Sequence, residues 1–224
     1  MIRTQTADDI CTVTLDRPAC RNALALEALR NAVETTDASV VYLHGAGEAF
    51  CAGADLDVVA DLDDESVEAF VRAGQRAATA LAETDVVTVA GIDGPARGGG
   101  VELALGCDLR VATPAATFAE SGVSLGLFGA WGGTARLPRI VGLGEAMDLA
   151  LTGRVIDADA ALRMGLVSRV VEEPREIAET IAAHDPRALQ TIKTRLRDTA
   201  SRADQEDREA VAFASLLETA SLDD

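Results

Sequence analysis

Gly98, Gly99, Gly100, Val101 and Glu102 set a stretch of bare backbone one helical turn away from a carboxylate. The residues before them, Val86 to Ile92, are β-branched and apolar like a buried strand, and Glu102 to Cys107 carry apolar residues at helical spacing, so the glycines open a helix. The first N–H groups of a helix lack intrahelical partners and lie at the positive end of its dipole, so a glycine-bared start can receive an oxyanion closely. Glu102, three residues after Gly99, falls on the same helix face. That arrangement suits a carbonyl polarised by backbone N–H groups while a carboxylate moves a proton beside it. The same run also suits close helix-to-sheet packing, and its spacing alone leaves both readings open.

The elements that must position this run alternate along the chain. Ile10 to Leu15 alternates like a half-buried strand and is broken by Asp16-Arg17-Pro18. Asn22 is placed to cap a helix whose apolar positions are Leu24, Leu26, Leu29 and Val33. Val40 to Leu43 is a second strand, Asp57 to Asp64 an acidic exposed connection, Glu65 to Leu81 a helix, and Leu109 to Ala112 a strand after the glycine-opened helix. This alternation predicts an α/β architecture, with residues 1–144 as its core. Residues 145–224 form a mostly helical region, with helices near 145–151, 157–164, 174–183, 186–199 and 204–220 and one short strand at 166–171. Such a tail is expected to pack over the core or onto another subunit rather than to extend the sheet.

Charge and composition narrow the function. With 224 residues, 48% of them hydrophobic, the chain can bury one sizeable core. A net charge of -17 argues against nucleic acid and anionic membrane as partners, since both need clustered Lys and Arg. No uninterrupted apolar run is long enough to span a bilayer, and Met1 to Asp9 lacks the order of a signal peptide, so a cytoplasmic protein is expected. Cys11, Cys20, Cys51 and Cys107 lack metal-ligand spacing and read as small buried residues, and no metal site is expected. Lys193, the only lysine, lies on a tail helix, where it could contact a ligand of its own or a neighbouring subunit; a solvated surface residue is the leading reading.

Asp16-Arg17-Pro18, Arg21-Asn22-Ala23-Leu24, the segment Phe50 to Leu56, Gly98 to Glu102, Gly132 to Pro138, Leu151 to Arg154 and Gly165-Leu166-Val167 occur in that order over nearly the whole chain. With them the chain resembles the enoyl-CoA hydratase/isomerase, or crotonase, superfamily. The resemblance implies a spiral of ββα turns, a C-terminal helical region used in trimer assembly, and a homotrimer or dimer of trimers. It further implies an acyl-CoA substrate whose thioester oxygen lies between two backbone N–H groups, here those of Ala54 and Gly99, with Glu102 as general acid and base. Arg17 and Arg21 become candidates for the nucleotide end of CoA, and Ala52, Ala54, Asp55 and Leu56 would lie along the ligand, as would Asp57, where the family often carries a basic residue. CoA is part of the substrate, and no separate cofactor is implied.

The chain departs from the family pattern at a place that matters. Hydratases of this family use a second glutamate, and an ungapped reading of Phe118 to Gly126 puts that position on Gly122. Glu120, two residues earlier, is the candidate substitute, or else a surface or structural carboxylate near Arg97 or Arg136. Arg97 could project toward the acyl pocket or turn to solvent, and Trp131 could be core packing or a pocket wall. His44 and His184 stand outside every motif position. The chain is also short for the family around residues 22–39 and Pro174, and at Leu222 to Asp224, where many relatives continue into a last helix; this implies a more open pocket. Enoyl-CoA hydration is the leading reading. Isomerisation, decarboxylation, hydrolysis and non-catalytic acyl-CoA binding stay open because of Gly122.

Overall fold

Strand β1 (Ile2–Ala7) folds back antiparallel on β2 (Ile10–Leu15), and the chain then winds as a spiral in which strands and helices alternate. Helix α1 (Leu26–Glu34) leads to β3 (Val40–Gly45), α2 (Leu56–Ala60), α3 (Val67–Glu83), β4 (Val87–Ile92), β5 (Pro95–Arg97) and α4 (Gly99–Gly106). After these come β6 (Leu109–Ala112), β7 (Thr117–Ala119), a 3-10 turn at Ser121–Leu125, α5 (Gly133–Val141), α6 (Leu143–Thr152), β8 (Ile156–Asp157), α7 (Ala158–Arg163) and β9 (Arg169–Val170). The chain closes on α8 (Arg175–Ala182), α9 (Pro186–Leu196) and α10 (Arg202–Leu217). The structure, a computed structural model, describes residues 1–23 and 26–220. The expected positions of Leu24 and of Leu222 to Asp224 lie outside the described residues.

Successive turns of the spiral feed two sheets. The larger runs β1-β2-β3-β4-β6-β9, parallel from β2 onward, and the smaller runs β5-β7-β8. Two strands in each turn, such as β4 followed by β5 and β6 followed by β7, thus go to different sheets before the next helix begins. Alternation along the strands divides the apolar residues between two faces. Cys11, Val13, Leu15, Val41, Leu43, Ala90 and Ile92 face inward against α1, α3, α4 and the second sheet. Ile10, Val40, Tyr42, Val87, Val89 and Val111 face outward and are covered by Ile177, Ala178 and Ile181 of α8 and Leu189 of α9. The tail therefore does pack over the core.

Several expectations need correction. The tail also extends both sheets: β9, inside the strand expected at 166–171, pairs with β6, and β8, whose two residues carry no readable period, pairs with β7. Asn22 does not cap α1: its Oδ1 accepts from the Arg17 N–H at 2.9 Å, and its Nδ2 donates to the carbonyls of Ala46 and Ala49 at 2.8 and 2.7 Å. It fastens the β2 and β3 exits to each other. The acidic connection contains a short helix, α2, capped by the Asp55 carboxylate, which accepts from Asp57 N–H. Cys20 is exposed, while Cys11, Cys51 and Cys107 are buried.

Lys193 is not a surface residue. It is 8% exposed, its Nζ donates to the Val86 carbonyl at 2.7 Å, and it pairs with Asp108 at 2.9 Å. Asp108 also accepts from Thr88 N–H and pairs with Arg197 at 2.7 Å, so α9 is bolted to the starts of β4 and β6. Removing one member of a buried pair leaves an under-compensated charge, which costs about 3 kcal/mol or more. Lys193→Met is expected to lower the unfolding free energy by about 3 kcal/mol, read from the urea midpoint.

Candidate active site

Three loops converge on the start of α4. Strand β5 ends at Arg97, and Gly98, with φ of 45°, turns the chain into the helix in a conformation that a side chain would strain. The Cys51–Ala54 loop docks alongside: Cys51 N–H donates to Pro95 O at 3.2 Å, and Arg97 N–H donates to Cys51 O at 2.9 Å. Gly53, with φ of 89°, approaches so closely that a Cβ there would stand 2.9 Å from the Gly99 nitrogen. Ala54 and Gly99 are thereby brought to the wall of one cavity, of about 190 Å³, together with Glu102, Ala52, Leu56 and Gly122. Val59, Phe70, Leu125 and Trp131 supply much of its apolar lining.

Glu102 is 2% exposed. Its Oε1 accepts from the backbone N–H of Trp131 at 2.8 Å and of Gly133 at 2.7 Å, which fixes the carboxyl against the Gly129–Gly133 segment. Burial pushes its pKa up, and the two backbone donors and Arg136 pull it only part of the way back. A carboxyl with a raised pKa is suited to both taking and returning a proton near neutrality. The Trp131 indole lies across the bare Cα atoms of Gly74 and Gly99, so that a side chain at either would run into the ring. Trp131 is thus both core packing and pocket wall, and it stands against Phe70 with ring centroids 5.7 Å apart.

Glu120 follows β7 directly and is 8% exposed, with neither carboxyl oxygen bonded to any partner among the described residues. It is therefore not the surface carboxylate, nor the partner of Arg97 or Arg136, that was one expectation. It opens into a second cavity, behind the first, with Gly129 and Phe128 common to both. Burial, and secondarily the charge of Glu102, push its pKa up to about 8. A carboxyl raised in the folded state holds its proton where the unfolded chain has lost it. Its contribution to stability is full below the ordinary carboxylate pKa of about 4.5 and is lost as pH rises through about 8. Glu120→Gln is expected to remove this dependence, so its melting temperature should gain on the wild type between about pH 5 and pH 8.

The remaining candidates, Arg17, Arg21 and Asp55, do not line the first cavity. Arg17 pairs with Asp55 at 3.1 Å and donates to Ala23 O, while Arg21 is exposed and accepts from Ala52 N–H through its carbonyl. Arg97 does neither of the things expected of it: its guanidinium binds Ala96 O, Thr117 O and Thr117 Oγ1, holding β5 to β7. His44 is occupied by Thr14, at 2.9 Å. Among the described residues no cluster of His, Cys, Asp and Glu could hold a metal, and no helix is long and apolar enough to cross a membrane. Sequence reasoning missed the two donors that anchor Glu102, because backbone groups have no residue type. The bareness of Gly133 was the one available signal: a Cβ there would stand 2.8 Å from Glu102 Oε1.

Comparisons with known proteins identify the family. The family model for enoyl-CoA hydratase/isomerase matches residues 5–221. The chain is 36% identical over 198 residues to the short-chain-enoyl-CoA hydratase of Clostridium acetobutylicum, covering 82% of this chain and 76% of that protein. It is 35% identical over 178 residues to the crotonyl-CoA hydratase of Syntrophomonas wolfei, covering 76% and 68%. The crystal structure of enoyl-CoA hydratase from Bacillus anthracis superposes with a TM-score of 0.91 at 34% identity, covering 97% of this chain and 91% of that one. Motif order, spiral fold and whole-length similarity coincide, and the chain belongs to the enoyl-CoA hydratase/isomerase family of the crotonase superfamily.

Proposed function

We propose that the protein hydrates trans-2-enoyl-CoA thioesters, in fatty-acid or related acyl-CoA metabolism. The observation that carries this reading is the shared cavity of Ala54, Gly99 and Glu102, with the Glu102 carboxyl locked by Trp131 and Gly133. The thioester oxygen accepts from the N–H groups of Ala54 and Gly99. Glu102 takes a proton from a water molecule as its oxygen bonds to Cβ, the double bond shifts to an enolate held by the two donors, and Glu102 returns the proton to Cα. The net change is addition of one water across the double bond. Two donors fixed in a largely apolar site stabilise the enolate without reorganising, and loss of one such donor costs about 2.7 to 4 kcal/mol in the barrier. CoA arrives as part of the substrate, so the reaction needs no cofactor.

Ala52, Asp55 and Leu56 would flank the pantetheine arm, and the exposed Arg21, with Arg17 beside it, would meet the phosphates. The names of the two similar hydratases support a short acyl chain as the first substrate to try. A single carboxyl in the thioester cavity also favours a second reading, isomerisation, in which Glu102 moves a proton between Cα and Cγ. Crotonyl-CoA decides between them. Hydration consumes the conjugated thioester absorbance and yields 3-hydroxybutyryl-CoA; an unchanged absorbance with loss of a 3-enoyl-CoA supplied instead would favour isomerisation.

Gly122→Glu tests the vacancy in the catalytic pair. A Cβ at Gly122 would meet Leu127 O at 3.2 Å and Phe128 Cα at 3.4 Å, so the loop must give by a few tenths of an ångström. A second carboxyl in the first cavity should then raise the hydration rate about tenfold or more, measured with crotonyl-CoA.

The assembly is proposed as a homotrimer or dimer of trimers in the cytoplasm. Two separate apolar faces support it: Ile192 and Leu196 of α9 with Val211, Phe213 and Leu217 of α10, and Leu143, Met147 and Leu151 of α6 beside Leu125. Two unlike faces on one chain suit a head-to-tail contact that closes into a ring. Light scattering should give three or six protomers; a monomer would contradict it.

A further inference from the structure

We propose that the cavity behind the thioester site is a specificity subsite for the tail of the acyl group, and that it selects a chain bearing a hydroxyl group. This rests on thioester binding at Ala54 and Gly99. The cavity, of about 200 Å³, is walled by Val123, Leu137, Leu143, Ala146 and Met147, with Glu120 as its one ionisable lining group among the described residues. Phe128 and Gly129 form the partition it shares with the first cavity. Gly129 contributes no side chain to that partition, and the Phe128 ring is 71% exposed, so it is held by little packing and can turn aside for a chain that leaves Cβ and runs toward Glu120.

Glu120 defines what the tail must carry. Its carboxyl is more than nine-tenths buried, and neither oxygen has a partner among the described residues. An unpartnered buried carboxyl is costly in an apolar wall and is found where a ligand completes it. Held neutral by burial, it offers one O–H donor and one acceptor oxygen. A hydroxyl group satisfies both at once, and an alkyl tail satisfies neither. A carboxylate tail would meet Glu120 and the nearby Glu102, with no basic side chain lining the cavity to offset them. The guanidinium groups of Arg97 and Arg136 are engaged elsewhere: Arg97 on Thr117, and Arg136 on Trp131 O and Thr79.

Saturated CoA esters, which bind without turning over, isolate the effect. Hexanoyl-, octanoyl- and decanoyl-CoA and their ω-hydroxy counterparts would be titrated by calorimetry into the wild type, Glu120→Gln and Glu120→Leu. At the chain length that spans the partition, the hydroxylated ester should bind the wild type about tenfold tighter than the alkyl ester, as one well-placed hydrogen bond allows. Glu120→Gln, which keeps a donor and an acceptor, should retain most of that preference. Glu120→Leu should reverse it. Equal affinity of each pair for the wild type, or the same preference in Glu120→Leu, would overturn the tail inference while leaving the thioester site intact. Failure of every ester to bind the wild type would instead overturn the thioester reading, and this inference with it.

Discussion

Glu102→Gln is expected to lower kcat for crotonyl-CoA by about a thousandfold while KM changes no more than a few-fold. The amide has the size of the carboxyl, and its oxygen can still accept from Trp131 and Gly133 N–H, the bonds that seat the side chain at 2.8 and 2.7 Å. The proposed oxyanion donors at Ala54 and Gly99 are untouched, so binding of the thioester is expected to persist. What is lost is the one carboxyl that lines the first cavity among the described residues, the group proposed to carry a proton between water and Cα. The pH profile should change with it. Because burial holds the Glu102 pKa above the ordinary carboxylate value, wild-type activity should fall on the acid side at a higher pH than an exposed glutamate would give, and the variant should lack that limb. Stability should not fall, since a neutral group replaces one whose ionised form is penalised by burial.

Gly133→Ala is expected to cost about a hundredfold in kcat through position alone. A Cβ at Gly133 would stand 2.8 Å from Glu102 Oε1 and 3.2 Å from its Cδ, closer than such atoms can remain. The cheapest relief moves the carboxyl, the far end of a flexible side chain, rather than the backbone of α5. The Gly133 N–H remains as a donor, so the fold and the general electrostatics are kept. A displacement of about 1 Å of a catalytic group costs on the order of a hundredfold. A melting temperature within a few degrees of the wild type, together with the fall in kcat, separates misplacement from unfolding. Unchanged kcat would mean that the anchored position of Glu102 is not the working one.

The part of the fold that was legible in the sequence is the part with a period. Ile10 to Leu15, Val40 to Leu43 and Val86 to Ile92 alternate or run apolar, and all three are neighbours in the large sheet. The glycine run that opens α4 was legible because glycine is required at Gly98, where φ is positive, and at Gly99, under the Trp131 ring. The two- and three-residue strands β5, β7 and β8 were not, since no period fits in so few residues, whereas β9 lies inside the short strand expected at 166–171. Partners remote in sequence were equally hidden. Lys193 looked like a solvated residue because the carbonyl that accepts from it belongs to Val86, 107 positions away. Asn22 looked like a helix cap because Asn favours that role, yet its oxygen goes to Arg17 and its amide to the β3 exit. Glu120 could be named from the sequence but not placed. Its two-residue offset from Gly122 moves it from the thioester cavity to the one behind it, and only the three-dimensional path of the 121–129 segment reveals that.

The central claim is that Glu102 delivers a solvent-derived proton to Cα of an enolate held at Ala54 and Gly99. Its most direct test is turnover of crotonyl-CoA in deuterium oxide, with the product analysed by mass spectrometry for the wild type and Glu102→Gln. The account predicts 3-hydroxybutyryl-CoA carrying one deuterium on Cα from the wild type, and formation of that product slowed about a thousandfold in the variant. Recovery of unchanged crotonyl-CoA from the wild type, or labelled product at equal rates from both proteins, would contradict it.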